Sequence, residues 1–156
     1  MSLSTKTSAF GKLIALPSTH RLLVCEAAVC LLIGRMLVSV PISRWSRHIG
    51  ELRKETALEE DPARVEPAKL IGGIVRAVAD YVPWRSDCLP QALAARLMLG
   101  RRKIPSTLYL GVMKVSENGE TRLKAHAWLR CGMITLTGGK ASRRFGVVST
   151  FARWYV

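Results

Sequence analysis

Residues that could hold a metal are few in this chain of 156 residues, and their spacing does not suit a metal site. The chain has four cysteines and three histidines. No Cys-x-x-Cys pair occurs, and no histidine lies at ligand spacing from two cysteines. We therefore expect neither a structural metal nor a cofactor.

Acidic residues are also scarce, with 11 Asp and Glu against 24 Lys and Arg and a formal net charge of +13. Such a balance favours acidic partners: nucleic acid, an anionic membrane surface or an acidic peptide. No recognisable nucleic-acid-binding module is visible, so nucleic acid is not an expected partner. A basic nucleic-acid-binding domain remains an alternative interpretation.

Long uncharged runs and a signal peptide are missing too. The polar start is not followed by a small-residue cleavage site, which favours a cytoplasmic location with reduced thiols. The most apolar stretch, 21–41, is free of charge only between Glu26 and Arg35, well short of the roughly 20 residues a spanning helix needs. We expect a helix docked on protein, with peripheral membrane contact or a partner subunit as alternatives.

Helical patterns fill the first two thirds of the chain. Ser18 or Thr19 is a candidate N-cap for a helix that runs to about Val40, and a short helix is plausible in "ISRWSRHIGE". The stretch 51–66 holds six of the eleven acidic residues and indicates a solvated connector.

Two further helices are predicted after the connector. One starts near Pro67 and ends at Pro83, and 86–100 forms the next, with Gly100 as its stop. The apolar spacing of the first predicts one buried face made of Leu70, Ile71, Ile74, Val75, Val78 and Val82.

Strand-like patterns follow over 107–115, 122–130 and 133–137, with turns at Asn118-Gly119 and Cys131-Gly132 and a possible last strand near the end. Helices followed by an antiparallel sheet predict an α+β fold. We expect residues 1–66 (helical region and connector) and 67–156 (catalytic core) to form one compact unit.

Cys88 stands in the first turn of a predicted helix, within "SDCLPQALAARLMLG". Ser86 or Asp87 can cap this helix, and its positive N-terminal end favours a thiolate. The free N–H groups of the first turn can also stabilise an oxyanion. A small residue fitted beneath a strand is the alternative interpretation of Cys88, and it is the one we give to the other three cysteines.

His126 lies 38 residues after Cys88, inside the apolar strand "AHAWL". A cysteine on a helix followed by a histidine on a sheet is the arrangement of cysteine hydrolases, in which imidazole takes the thiol proton and later protonates the leaving amine. This pair predicts a cysteine peptidase.

The stretch "DCLPQALAARLMLGRRKIPSTLYLGV" with "AHAWLRCG" resembles the lasso peptide B2 proteins, which are transglutaminase-like cysteine proteases. The resemblance implies a transglutaminase/papain-like core and a leader peptidase acting on a ribosomally made precursor peptide. It implies Cys88 as nucleophile and His126 as base. It also implies two partners, a leader-recognition-element protein and an ATP-dependent, asparagine-synthetase-like cyclase.

The third member of the family's triad, an aspartate downstream of the histidine, is missing, because no Asp or Glu follows Glu120. A turn at Cys131-Gly132 would place Thr137 directly across from His126, where its hydroxyl could orient the imidazole. Thr137 is therefore our predicted replacement, with Asp80, Glu117 and Glu120 left open. Because this aspartate is missing, an inactive relative that serves as an assembly subunit is an alternative interpretation of the chain.

Overall fold

The computed structural model describes residues 18–117 and 119–155. Along these residues the order of elements is α1 (Ser18–Val38), α2 (Ile42–Ile49), β1 (Glu51–Leu52), α3 (Pro62–Ala79), α4 (Cys88–Arg101), β2 (Ser106–Glu117), β3 (Glu120–Cys131), β4 (Ile134–Thr137), α5 (Gly139–Ser142) and β5 (Gly146–Arg153). The predicted α+β class is confirmed.

Helix α3 begins five residues before the predicted start at Pro67, because the acidic connector supplies its cap. The Asp61 carboxylate accepts a hydrogen bond from the Ala63 N–H at 2.8 Å, and Pro62 occupies the first helical position, where its missing N–H costs nothing. Pro67 therefore lies inside the helix. The predicted end at Pro83 is also wrong, since α3 ends at Ala79.

The buried face of α3 differs from the predicted one at its edges. Leu70 is exposed, while Ala68 and Gly72 are buried beside the predicted Ile71, Val75 and Val78. A Cβ added at Gly72 would lie 2.9 Å from the Leu136 Cβ, so glycine allows α3 to pack closely on β4.

The strands form one sheet in the order β1-β5-β2-β3-β4, and every neighbouring pair is antiparallel. The predicted strands are present, with β2 and β3 longer than expected, and β5 is the last strand. Residue 118 of the predicted Asn118-Gly119 turn lies outside the described residues. The connector contributes β1, which pairs with the end of β5 and extends the sheet.

The turn between β3 and β4 is shifted by one residue from the predicted one. Cys131 pairs with Ile134, so the turn is Gly132-Met133, and Gly132 adopts a φ of 54° that suits glycine. An irregularity follows between Leu129 and Arg130 of β3. The register of β4 is therefore different from the one we predicted.

Helix α4 is central: it packs against α1 and α3 on one side and against the sheet on the other. Its Arg96 is buried, and the guanidinium donates to the carbonyl oxygens of Ser106 (2.6 Å), Phe151 (3.2 Å) and Ile49. These bonds tie α4 to β2, β5 and the end of α2. Within the described ranges, no helix is both long and apolar enough to cross a membrane.

Candidate active site

Side chains on strand β3 alternate between two environments. Ala127, Leu129 and Cys131 belong to the apolar core that the helices share, whereas His126 and Trp128 face the other side of the sheet, as period-two alternation requires. The His126 imidazole is half-buried there. His126 therefore lies on the face of the sheet that is opposite to the helical core.

A stacked and hydrogen-bonded cluster supports this face. The rings of Trp128 and Tyr109 lie parallel, with centroids 5.3 Å apart. The Tyr109 hydroxyl donates to the Glu55 carboxylate at 2.5 Å and accepts from Arg130 Nε at 2.8 Å. Burial, followed by the bond to Glu55, raises the pKa of Tyr109. The cluster holds Trp128 in place beside His126, with ring centroids 5.9 Å apart.

The His126 imidazole has a single hydrogen-bond partner among the described residues. Its Nε2 lies 2.7 Å from the carbonyl oxygen of Gly138, the residue just after β4. The Phe145 ring covers the imidazole at a centroid distance of 4.8 Å. A carbonyl oxygen can only accept, so Nε2 carries the hydrogen of the neutral ring and Nδ1 keeps its lone pair.

Gly138 is fitted tightly to this position. Its φ is 70°, in the left-handed region that favours glycine. A Cβ there would lie 3.1 Å from His126 Nε2 and 3.0 Å from Trp128 Cβ, and it would collide with the Ala127 carbonyl oxygen. Only glycine brings its carbonyl to the imidazole without displacing these groups.

Cys88 is the first residue of α4, as predicted, and is partly buried against the core. Asp87 occupies the N-cap position, but its side chain makes no cap bond to any described residue and pairs with Arg85 instead, at 3.1 Å. The predicted side-chain cap by Asp87 is therefore wrong. The first-turn N–H groups lack intrahelical acceptors and point toward the start of the helix.

A cavity of about 270 Å³ opens at Cys88. It is lined by Arg35, Val38, Arg85, Asp87, Cys88, Leu89 and Pro90. Two of these residues come from α1, whose C-terminal half lies beside the start of α4, where Pro90 packs on Gly34. The thiol thus lies at a concave part of the surface whose charged residues are Arg35 and the ion pair of Arg85 with Asp87.

The structure does not bring the three predicted site residues together: Cys88 packs against the core that the helices share, whereas His126 lies on the other face of the sheet and does not line the cavity at Cys88. No bond links Cys88 Sγ to the His126 imidazole among the residues described. The predicted pairing of Thr137 with His126 is wrong, because Thr137 pairs with Leu129. The extra residue Leu136 shifts the register, and the Thr137 hydroxyl is buried without a hydrogen-bond partner in the described chain.

Sequence reasoning missed the contact made by Gly138. The signal available was the pair Gly138-Gly139 directly after a strand, which marks a close backbone approach or a left-handed turn. It also missed Arg35 and Arg85 beside Cys88, since no local spacing links α1 to the start of α4. The described residues contain no group of three or more His, Cys, Asp or Glu side chains placed to hold a metal ion.

Comparison with known proteins agrees with this architecture. The profile of the transglutaminase-like superfamily matches residues 31–150, from within α1 to within β5. No curated protein and no solved structure gives a significant match. The matched range covers more than half of the chain and includes both Cys88 and His126. The chain therefore belongs to the transglutaminase-like superfamily.

Proposed function

We propose that this protein is a cysteine peptidase with Cys88 as nucleophile and His126 as general base. The observation that carries the proposal is the contact between His126 Nε2 and the Gly138 carbonyl oxygen, from which the tautomer of the imidazole follows. Because Nε2–H donates to the Gly138 carbonyl oxygen at 2.7 Å, Nδ1 is left as the basic nitrogen. A histidine acting as general base requires one ring nitrogen bonded to an orienting group and the other nitrogen free to take a proton.

The proposed reaction begins with attack of Cys88 Sγ on an amide carbonyl carbon, while the thiol proton passes to His126 Nδ1. The resulting oxyanion lies near the first turn of α4, where the Cys88 N–H can donate to it. Collapse breaks the C–N bond, and the imidazolium returns its proton to the leaving amine. Water then hydrolyses the thioester, with His126 again acting as base.

The first proton transfer requires Cys88 Sγ and His126 Nδ1 to come within hydrogen-bond reach. In the described structure the His126 side chain faces the side of the sheet away from the helices, whereas Cys88 packs against the core that the helices share. The proposed reaction therefore requires a rearrangement that brings the imidazole to the start of α4, within reach of the thiol directly or through one water.

The proposed substrate is the precursor of a lasso peptide, from which the enzyme removes the leader. This step rests on the resemblance carried by residues 87–112 and 125–132. A leader-recognition-element protein would deliver the precursor, and an ATP-dependent, asparagine-synthetase-like cyclase would close the released core. Arg35 at the Cys88 cavity suits an acidic segment of peptide, whereas Arg85 is paired with Asp87.

The test is cleavage of a lasso peptide precursor, with a leader-recognition-element protein present. We expect wild type to release leader and core as two fragments by mass spectrometry, and Cys88→Ala and His126→Ala each to lose at least about 10³-fold in rate. Equal product from wild type and Cys88→Ala would contradict the peptidase assignment.

A second candidate is a non-catalytic subunit of the same maturation assembly. Two observations favour it: no carboxylate follows Glu120, and no hydrogen bond joins Cys88 and His126 among the described residues. In that case, wild type and Cys88→Ala would support equal maturation when the other components are present, while omission of the protein would abolish it.

A further inference from the structure

The outward face of α1 is a continuous apolar stripe. Helix α1 packs with one side on α3 and α4, and its other side is exposed. The exposed residues at three- and four-residue spacing are Leu22, Cys25, Val29, Leu32, Ile33, Met36 and, just beyond the helix, Val40. Leu22 is 72% exposed, Val29 58% and Met36 64%. From Leu22 to Val40 the stripe is about 27 Å long at 1.5 Å per residue.

An exposed apolar surface of this kind marks an interaction site rather than ordinary surface. Amphipathic surface helices normally turn charged residues to solvent, yet here the solvent side of α1 is the apolar one. The opposite side is already buried against α3 and α4, and no described residue covers the stripe.

The charges carried by α1 and α2 favour an anionic partner. Residues 18–49, which include α1 and α2, contain four arginines (Arg21, Arg35, Arg44 and Arg47) and one acidic residue, Glu26. The Glu26 carboxylate is already paired with Arg101 at 3.2 Å and Arg102 at 2.6 Å. Arg21, Arg44 and Arg47 are exposed. A second copy of this chain, with net charge +13, would bring like charge against like charge.

We propose that the α1 stripe docks on the surface of an anionic lipid bilayer, with the helix axis parallel to the membrane plane. The apolar side chains enter the interface between headgroups and acyl chains, and the arginines of α1 and α2 bind lipid phosphates. A lipid interface accepts a convex ridge without a matching groove, and α1 forms the outermost layer of the fold. The same helix contributes Arg35 and Val38 to the Cys88 cavity, so docking places that cavity near the membrane.

The experiment is co-flotation of the full-length protein with vesicles of phosphatidylcholine alone or of phosphatidylcholine mixed with phosphatidylglycerol. We expect wild type to bind the mixed vesicles and to be released by salt, with weak binding to phosphatidylcholine. The double variant Val29→Gln/Met36→Gln should lose at least about 10-fold in partitioning, because it removes two apolar side chains from the interface.

The matched control is Leu123→Gln/Met133→Gln, which replaces two exposed apolar residues far along the chain from α1: Leu123 of β3, 68% exposed, and Met133 of the β3–β4 turn, 79% exposed. We expect it to bind as wild type does. Equal binding by both double variants, or equal binding of wild type to both vesicle types, would overturn the proposal. A dimer that does not bind vesicles would also overturn the proposal. If analytical ultracentrifugation shows such a dimer and only Val29→Gln/Met36→Gln dissociates it, a second copy of the chain covers the stripe.

Discussion

The Nε2 atom of His126 lies 2.7 Å from the Gly138 carbonyl oxygen, in the place where a triad enzyme has a carboxylate. A carbonyl fixes the tautomer and the orientation of the ring as a carboxylate does. It does not carry the negative charge that stabilises an imidazolium. The Gly138 carbonyl therefore positions the imidazole, but it does not neutralise the charge of an imidazolium.

Replacement of Gly138 by alanine tests this positioning. The added Cβ would crowd His126 Nε2 and Trp128, so the imidazole should rotate away from the carbonyl. We expect the rate of precursor cleavage to fall by roughly 10- to 100-fold, because small misplacements of a general base have effects of that size.

Gly119→Ala is the control for Gly138→Ala. Gly119 also has a positive φ, 80°, but a Cβ there would meet nothing within 4 Å. Gly119→Ala should therefore lose about 1 kcal/mol of stability from backbone strain, measured by urea unfolding, and Gly138→Ala should lose more, because its Cβ also collides with the Ala127 carbonyl oxygen. Only Gly138→Ala should lose activity, and an equal loss in both would show that strain alone is responsible.

Thr137→Val tests the orienting role that the sequence predicts for this residue. The Thr137 hydroxyl is buried and unbonded in the described chain, and its pairing partner is Leu129. Removal of an unsatisfied hydroxyl should leave unfolding free energy unchanged or raise it by up to about 1 kcal/mol. We expect cleavage at the wild-type rate. A tenfold slower rate, with stability retained, would restore Thr137 to the catalytic site.

Selective alkylation tests the thiol assigned as nucleophile. Burial raises the pKa of the Cys131 thiol to about 11 and also raises that of Cys30, so both should stay unmodified by iodoacetamide near neutral pH. Cys88, at a helix N-terminus, should react faster than the exposed Cys25. Peptide mass spectrometry of the folded protein measures each site, and preferential labelling of Cys131 would contradict the structure.

The ion pair between α1 and α4 predicts a pH-dependent contribution to stability. The hydrogen bond from Arg102 lowers the pKa of Glu26 from its ordinary value of 4.5, and the same bond raises the pKa of Arg102. Because the folded state favours the ionised carboxylate, this stabilisation is fully present above pH 4.5 and is lost as the pH falls through the lower folded-state pKa.

Glu26→Gln should therefore destabilise the protein by about 1 kcal/mol at neutral pH, measured by urea unfolding. The difference from wild type should shrink as the pH is lowered below 4.5. Glu66→Gln serves as the control, because Glu66 pairs only with the exposed Lys69 within α3. Its effect should stay within about 0.5 kcal/mol at every pH. A pH-independent effect of Glu26→Gln would rule out the ion pair as its cause.

Much of the fold was predictable because it depends on local pattern. The period of apolar residues located α1, α4 and the strands β2 and β3. The start of α3 was misplaced because Pro67 was taken as a boundary, whereas the cap at Asp61 and the proline at 62 decide where the helix begins. The short strand β1 carries no periodicity of its own and forms by pairing with β5.

The candidate site was predictable only in part. The positions of Cys88 on a helix start and His126 on a strand follow from local signals, and their catalytic roles stay predictions. The partner of His126 does not follow from such signals. One extra residue, Leu136, shifts β4 against β3, and a two-residue period cannot reveal such a shift.

The hydrogen bonds of Arg130 determine which fragments of the chain are expected to fold. Its guanidinium, on a residue only 8% exposed, donates to the carbonyl oxygens of Thr56 at 2.8 Å and Ala57 at 3.2 Å. A fragment that starts at residue 67 would lose both acceptors, the Glu55 carboxylate and the segment that covers the guanidinium. A hydrogen bond from a charged group contributes roughly 1.5–3 kcal/mol, so the loss of these bonds amounts to several kcal/mol, on the order of the stability of a whole small domain. The C-terminal part expressed alone is therefore expected to give insoluble or unfolded material, and biochemical work needs residues 55–57 on the same chain.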